Sequence, residues 1–222
     1  VGFDQILYGD ILYVSNEGTY NPQNNEMYSD FEAQGKSYKT DLTRVQQTQV
    51  SGLPLAAGVL TSRAFGEAYY HAGTNRAPFR FTMKTFVCKD MEGLMDTTVT
   101  DSQVRQDVDR RPGGDPLTYK NKCAGCHAGM DPMTKAFAYI DWEIDDDNGT
   151  SNIIYTPGQV REKVLRNSYV SPFGHETQDD RWINLWAQGQ NASLGWNGPT
   201  SGSGPKAFGE MIAKTDAFAG CM

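Results

Sequence analysis

The sequence has few histidines and cysteines and no surplus of positive charge. Three histidines and four cysteines occur in 222 residues, and 27 acidic residues against 20 basic ones leave a formal net charge of -7. Nucleic acids and anionic membrane surfaces recruit proteins through basic patches, so neither is expected as a partner. No apolar run approaches the ~18 residues of a membrane-crossing helix. A basic start followed by an apolar stretch, the mark of a signal peptide, is also missing, and the chain is expected to be either mature or a fragment. What is left is a globular chain long enough for a real core, with an acidic surface suited to solubility or to a basic redox partner.

Against that scarcity, Cys123-Ala124-Gly125-Cys126-His127 stands out. Two cysteines separated by two residues and followed at once by histidine form the attachment signature of a c-type haem. One helical turn sets both thiols beside the two vinyl groups of one porphyrin, and the adjacent histidine reaches the iron as proximal ligand. The competing readings are a zinc knuckle, a thioredoxin-type redox pair, or chance. Zinc asks for four ligands, with a second Cys/His pair nearby that this sequence lacks. The redox motif expects a strand just before it, where Lys120, Asn121 and Lys122 stand. One covalent haem c on Cys123, Cys126 and His127 is therefore the expected cofactor.

The two other cysteines, Cys88 and Cys221, form an even remainder that fits one disulfide in an oxidising compartment, and covalent haem attachment points to the same side of the membrane. The alternative is a pair of buried free thiols, since sequence alone does not show that the sulfurs meet.

Hydrophobic spacing outlines the rest of a mainly α chain with long irregular loops. Phe3, Ile6, Leu7, Ile11 and Val14 recur at helical intervals and predict an amphipathic helix of about three turns. Ser15 to Ser51 is polar, with turn signals at Asn21-Pro22 and Asn24-Asn25, and is expected to be an ordered excursion with one short hairpin. Its tyrosines Tyr20, Tyr28 and Tyr38 are placed to contact haem or a neighbouring protein. Residues 1–52 thus read as a helix and loop packed on a haem domain of residues 53–222. Within that domain, Thr61 or Ser62 caps a helix ending near His71, and Pro78 opens a helix lined by Phe79, Met83, Phe86, Val87 and Met91 that carries Cys88. Residues 90–121 read as a connector. Asp131-Pro132 reads as the N-cap and first residue of a helix with Met133, Phe137 and Ile140. The acidic run Asp145 to Gly149 fails as a calcium loop, because aligning Gly149 puts Ile144 and Tyr155 at ligand positions, and reads as a solvated turn. Thr156-Pro157 and Thr177 with Asp179 and Asp180 each open a further helix, residues 195–204 form a loop, and a last helix runs from Pro205 towards Cys221.

Three stretches resemble the planctomycete-type cytochrome c domains of unknown function, found in large exported bacterial haem proteins. CAGCHAGMDPMTKAFAYID, from Cys123 to Asp141, resembles their haem signature of CxxCH, Met or Ile, Asp-Pro and an alanine-phenylalanine helix closing on aspartate. Ala57 to Thr61 and Thr74 to Cys88 are similar to their leucine-threonine entry and late-cysteine helix, and Ala217 to Cys221 to their phenylalanine-cysteine close. Thr134 stands where that group usually has glycine, and Ala138 where it often has glutamate. The resemblance implies electron-transfer haem chemistry, an exported setting (periplasmic, outer-membrane-associated or extracellular) and descent from a longer chain.

Electron transfer is the expected function, with a protein ligand on both faces of the iron. The alternative is a peroxidase or oxygenase with an open distal face, for which the sequence offers no recognisable distal acid-base pair. A haem-bearing subunit of a larger complex or filament, or a carrier exchanging electrons with other cytochromes, shares the first chemistry. His71 is the leading distal ligand, at the end of a helix bearing Phe65, Tyr69 and Tyr70; its bland reading is a histidine against helix-end carbonyls. A methionine, His175 or an open site are the other choices. Met130 and Met133 follow His127 too closely to reach the far face, and Met211 lies on an apolar stripe.

Overall fold

The computed structural model describes residues 3–222. Among the described residues helices and 3-10 turns dominate, interrupted by three antiparallel two-stranded sheets. The helices are α1 (Glu26–Ala33), α2 (Gln47–Val50), α3 (Arg63–Tyr69), α4 (Ala77–Phe86), α5 (Pro116–Thr118), α6 (Ala124–Thr134), α7 (Gly204–Ala213) and α8 (Asp216–Cys221). Strands β1 (Leu12–Ser15) and β2 (Leu42–Val45) pair, as do β3 (Ile140–Asp145) with β4 (Thr150–Tyr155) and β5 (Arg181–Ile183) with β6 (Ser201–Ser203). The architecture is thus mixed, mainly helical with loops.

One apolar core joins α3, α4, α6 and α7 around Leu60, Phe79, Met83, Phe137, Trp186, Phe208 and Met211, all buried. Leu7 and Phe218, from the first and last described elements, both belong to it. Leu7 is buried in the same cluster, and its carbonyl approaches Gly209 of α7 so closely that an added Cβ there would lie 1.9 Å from the oxygen. Such a separation admits only glycine. Cys88, one residue past the C-cap of α4, is bonded to Cys221 at the end of α8, with the Cα atoms 5.5 Å apart.

Ser62 caps α3 by accepting from the amide of Phe65, and Pro78 lies in the first turn of α4, as the sequence predicts. Four other segments depart from their expected form. The opening helix stops after one 3-10 turn, Phe3–Leu7, and the chain becomes β1. Asp10 explains the change of direction: its carboxylate accepts from both the amide and the hydroxyl of Thr48, at 2.8 and 2.6 Å, drawing the following residues alongside β2. Asp131 and Pro132 do not start a helix but lie in the last turns of α6, and Ile140 begins β3.

After Thr156 the chain makes a tight turn, with Gln159 N–H to the Thr156 carbonyl at 3.0 Å, and no α-helix follows. Thr156 N–H to the Tyr139 carbonyl at 3.0 Å and Arg161 N–H to that of Ala138 at 2.9 Å hold the segment against the residues entering β3, and Glu162–Leu165 forms a 3-10 turn. Asp180 caps nothing. Its carboxylate accepts from the Ser203 hydroxyl at 2.6 Å, which brings residues 201–203 beside 181–183 and makes strands of both. The acidic run is the turn of the β3–β4 hairpin, where Asp145 accepts from the backbone and side chain of Asn148. No group of three metal-ligating side chains forms there or elsewhere among the described residues, and no helix is long and apolar enough to cross a membrane.

Candidate functional site

The Cys123–His127 motif is presented by one nearly continuous helical segment. Asp115 starts it by accepting from the amides of Leu117 and Thr118 at 2.9 and 3.1 Å. After α5, a wider π turn over Tyr119–Cys123 leads directly into α6. Such turns insert a residue into a helix and reset the direction in which the next turn presents its side chains. At ~100° per residue, Cys126 and His127 lie on either side of Cys123 within an arc of about 100°, so both thiols and the imidazole share a face.

The opposite face of α6 is closely packed, through Gly129 against the core and through Gly125 against the exposed Met95 side chain. A Cβ added at Gly125 would lie 2.4 Å from Met95 Cγ, and one at Gly129 would lie 1.9 Å from the indole nitrogen of buried Trp186. The two glycines, four residues apart, let the helix settle this closely and turn the cysteines the other way. Cys123 and Cys126 are unbonded and half-buried. Cys123 borders a small apolar cluster of Val104, Val108, Tyr119 and Ala128. Cys126 Sγ is 3.5 Å from the Met91 carbonyl, and burial pushes its thiol pKa up, with Glu92 and Cys123 adding to the effect.

His127 is fixed from behind. Its Nδ1 lies 3.2 and 3.3 Å from the two carboxylate oxygens of Asp131, one helical turn on. Asp131 is fully buried, yet every side of its carboxylate is engaged. Arg76 reaches it with Nε and Nη2 at 2.8 and 3.0 Å, and the Arg105 amide donates to it at 3.0 Å. Burial opposes ionisation of Asp131, but the Arg76 charge and the hydrogen bonds from His127 and Arg76 outweigh it and hold the carboxyl well below the usual range.

Arg76 in turn holds Asp107 at 2.6 and 2.8 Å, and Arg105 reaches the same carboxylate at 3.1 Å. Two arginines and two aspartates therefore balance in charge. An ionised carboxylate only accepts hydrogen bonds, so it assigns the proton of a neutral imidazole to His127 Nδ1 and leaves Nε2 with its lone pair. The sequence reading of Asp131 as a helix cap missed this role. Its signal was the four-residue spacing from His127, which on a helix brings two side chains together.

His71 lies in the exposed bend after α3, three residues before Thr74, whose hydroxyl accepts from Arg76 Nη1 at 3.1 Å and whose carbonyl accepts from Arg105 Nη1 at 2.9 Å. That bend therefore borders the charged cluster behind His127. His175 is held differently: its amide donates to the Val104 carbonyl at 2.9 Å and its carbonyl accepts from the Gln106 amide at 3.1 Å. Its buried Nε2 has no hydrogen-bond partner among the described residues, and burial, followed by the charge of Lys135, pushes its pKa down. His175 lines a small, partly open recess with Arg105, Val164 and Thr177. Met130 and Met133 are core residues, and Met211 Sδ lies 3.5 Å from Asn184 Nδ2.

No family model matches the chain, and no curated protein or solved structure matches it. The residues themselves suit a covalent haem. Two unbonded, half-buried thiols share a helix face with an imidazole whose Nδ1 is engaged by a buried carboxylate, and Nε2 is the nitrogen left for a metal. A zinc site would instead need further protein ligands that the described residues do not supply.

Proposed function

We propose that this chain is a helical haem domain of cytochrome c type that carries one covalent haem c and passes single electrons. The observation that carries the reading is the pairing of His127 Nδ1 with buried Asp131 beside the unbonded thiols of Cys123 and Cys126. Cys123 and Cys126 are the thioether anchors, and His127 is the proximal ligand through Nε2. When bound, haem c supplies a one-electron couple at its iron. The chain contributes a fixed ligand, a rigid helix clamped through Gly125 and Gly129, and a charge-balanced support behind the ring.

His71, exposed on the bend after α3, is our candidate for the distal ligand; the cluster that the Thr74 end of that bend joins lies behind His127 and does not itself put His71 on the opposite face of the haem. An acidic chain suits a basic redox partner, another cytochrome, or a place in a larger haem assembly, and the Cys88–Cys221 disulfide suits an oxidising, exported setting.

Acid-acetone extraction followed by visible spectroscopy tests the reading. Haem is expected to stay with the chain, with sharp α and β bands of low-spin iron in the reduced protein. Haem passing into the organic layer overturns the thioether assignment, and a high-spin spectrum favours an enzyme with an open distal face. His71→Ala is expected to make the iron high-spin; an unchanged low-spin spectrum removes His71.

A further inference from the structure

Asp131 does more than hold α6 in place: we infer that it is a positioning residue whose hydrogen bond to His127 sets the reduction potential of the metal that His127 binds. The inference rests on the haem reading and deepens it. A histidine that ligates a metal through one ring nitrogen donates its other N–H to a neighbour, and the neighbour's basicity decides how much electron density the ring passes to the metal. A backbone carbonyl is a weak acceptor in this role. Here the acceptor is an ionised, fully buried carboxylate, its two oxygens 3.2 and 3.3 Å from Nδ1. Charge-assisted hydrogen bonds are about twice as strong as neutral ones when short, and this one, shared between two oxygens at 3.2 and 3.3 Å, lies at the long end of the range.

A strong acceptor at Nδ1 gives the ring imidazolate character. That favours the oxidised, more positively charged metal and lowers its potential. The support behind Asp131 sets how far this goes. Arg76 and the Arg105 amide compete with His127 for the same two oxygens, and Asp107 draws Arg76 partly away through Nη1 and Nη2. His127 thus faces a carboxylate whose acceptor strength is divided among three donors, while the cluster around it carries no net charge. Asp131 is unexposed and Arg105 only 3 % exposed, so the carboxylate itself is shielded from water, while Arg76 and His127 reach it from partly exposed positions.

The test is the midpoint potential of the haem-loaded protein and two variants. Asp131→Asn keeps the shape of the side chain and removes its charge; it is expected to shift the equilibrium between oxidised and reduced iron at least tenfold towards reduced, which is ~59 mV for one electron. Asp131→Glu restores an ionised acceptor and is expected to return the potential towards that of the parent. A purely structural role predicts that both variants move it alike. Should either variant fail to fold, resonance Raman of the parent after photolysis of its ferrous carbonyl adduct reads the same bond: the iron–histidine stretch is expected at the high frequency of an imidazolate-like ligand, and a frequency typical of a carbonyl-bonded histidine overturns the inference. Covalent haem with an unmoved potential in Asp131→Asn overturns this inference alone. A chain that holds no haem overturns the haem reading and this inference with it.

Discussion

Breaking the Cys88–Cys221 bond removes the longest-range covalent constraint on the unfolded chain. The two residues are 133 apart in sequence, so the bond ties the end of α4 to the last helix and closes most of the chain into a ring. In the chain-entropy model, closing a loop of that length removes about 17 cal/mol/K from the unfolded ensemble, or ~5 kcal/mol at 25 °C. Little of this is offset by new freedom in the folded state. Phe218 on α8 is buried in the core independently of any contact with the sulfurs, and the Thr215 hydroxyl caps the helix by accepting from the Phe218 amide at 3.0 Å, so both should hold α8 in place without the bond. Cys88 itself has a φ of +55°, a left-handed conformation that costs a non-glycine residue roughly 1 kcal/mol and that serine retains. We therefore expect Cys88→Ser/Cys221→Ser to lose about 3–5 kcal/mol, a large share of the ~5–15 kcal/mol typical of a domain. With a urea m-value of ~2 kcal/mol/M, the unfolding midpoint falls by about 2 M. A covalent haem of the proposed kind would be present in both folded and unfolded chains and would cancel from the comparison. The measurement is urea unfolding followed by tryptophan fluorescence, and a loss under ~1 kcal/mol refutes the chain-entropy argument for this bond.

Packing and charge set three further outcomes. Gly129→Ala normally favours a helix by up to ~1 kcal/mol, but here the new methyl lies 1.9 Å from the Trp186 indole, so overpacking of about 1–3 kcal/mol should win and lower the thermal midpoint; a raised midpoint contradicts the close approach. Asn75→Ala should cost about 2–4 kcal/mol in denaturant unfolding, because Nδ2 donates at 2.8 Å to both the Phe137 and Ile140 carbonyls and the residue holds a φ of +59°; a change under ~1 kcal/mol counts against it. Burial works against ionisation of Asp107, yet hydrogen bonds from Arg76 and the charges of both arginines hold its carboxyl below the usual range. The depressed folded value means that its contribution is present above pH ~4 and is lost as pH falls through the folded value. Acid unfolding of Asp107→Asn should therefore show a shallower loss of stability below pH ~4 than the parent, and identical acid profiles reject the assignment.

Short, locally determined features were legible in the sequence. The Ser62 cap, the Pro78 helix entry, the acidic hairpin turn and the cysteine pairing each depend on a few neighbouring residues or on simple counting. The misread segments were decided by partners far along the chain. Asp10 needs Thr48, Asp180 needs Ser203, and the turn and loop after Thr156 need the carbonyls of Ala138 and Tyr139. At each, a side chain that looks like a helix cap, or a backbone that looks ready to coil, is claimed by a distant group, and spacing within one window carries no sign of it. Trp182 and Trp186 show the consequence, since their helix-like spacing is realised by a strand and a 3-10 turn that bury both rings.

The candidate site divides along the same line. Cys123, Cys126 and His127 announce themselves by spacing, whereas the support behind His127 is assembled from Arg76, Arg105, Asp107 and Asp131 on three separate segments. Stability alone does not explain such an assembly, because a buried ion cluster gains little over well-packed apolar side chains of the same volume. Apolar replacements would fill the space behind α6 equally well, but they would leave His127 Nδ1 without an acceptor and its ring free to rotate. The carboxylate fixes both the tautomer and the direction of the ring, and the arginines make that carboxylate tolerable in a buried position. Once Asp131 is required, Arg76 is required, and Asp107 then balances the second arginine. The four charges are thus best understood as a chain of consequences that begins at one imidazole nitrogen.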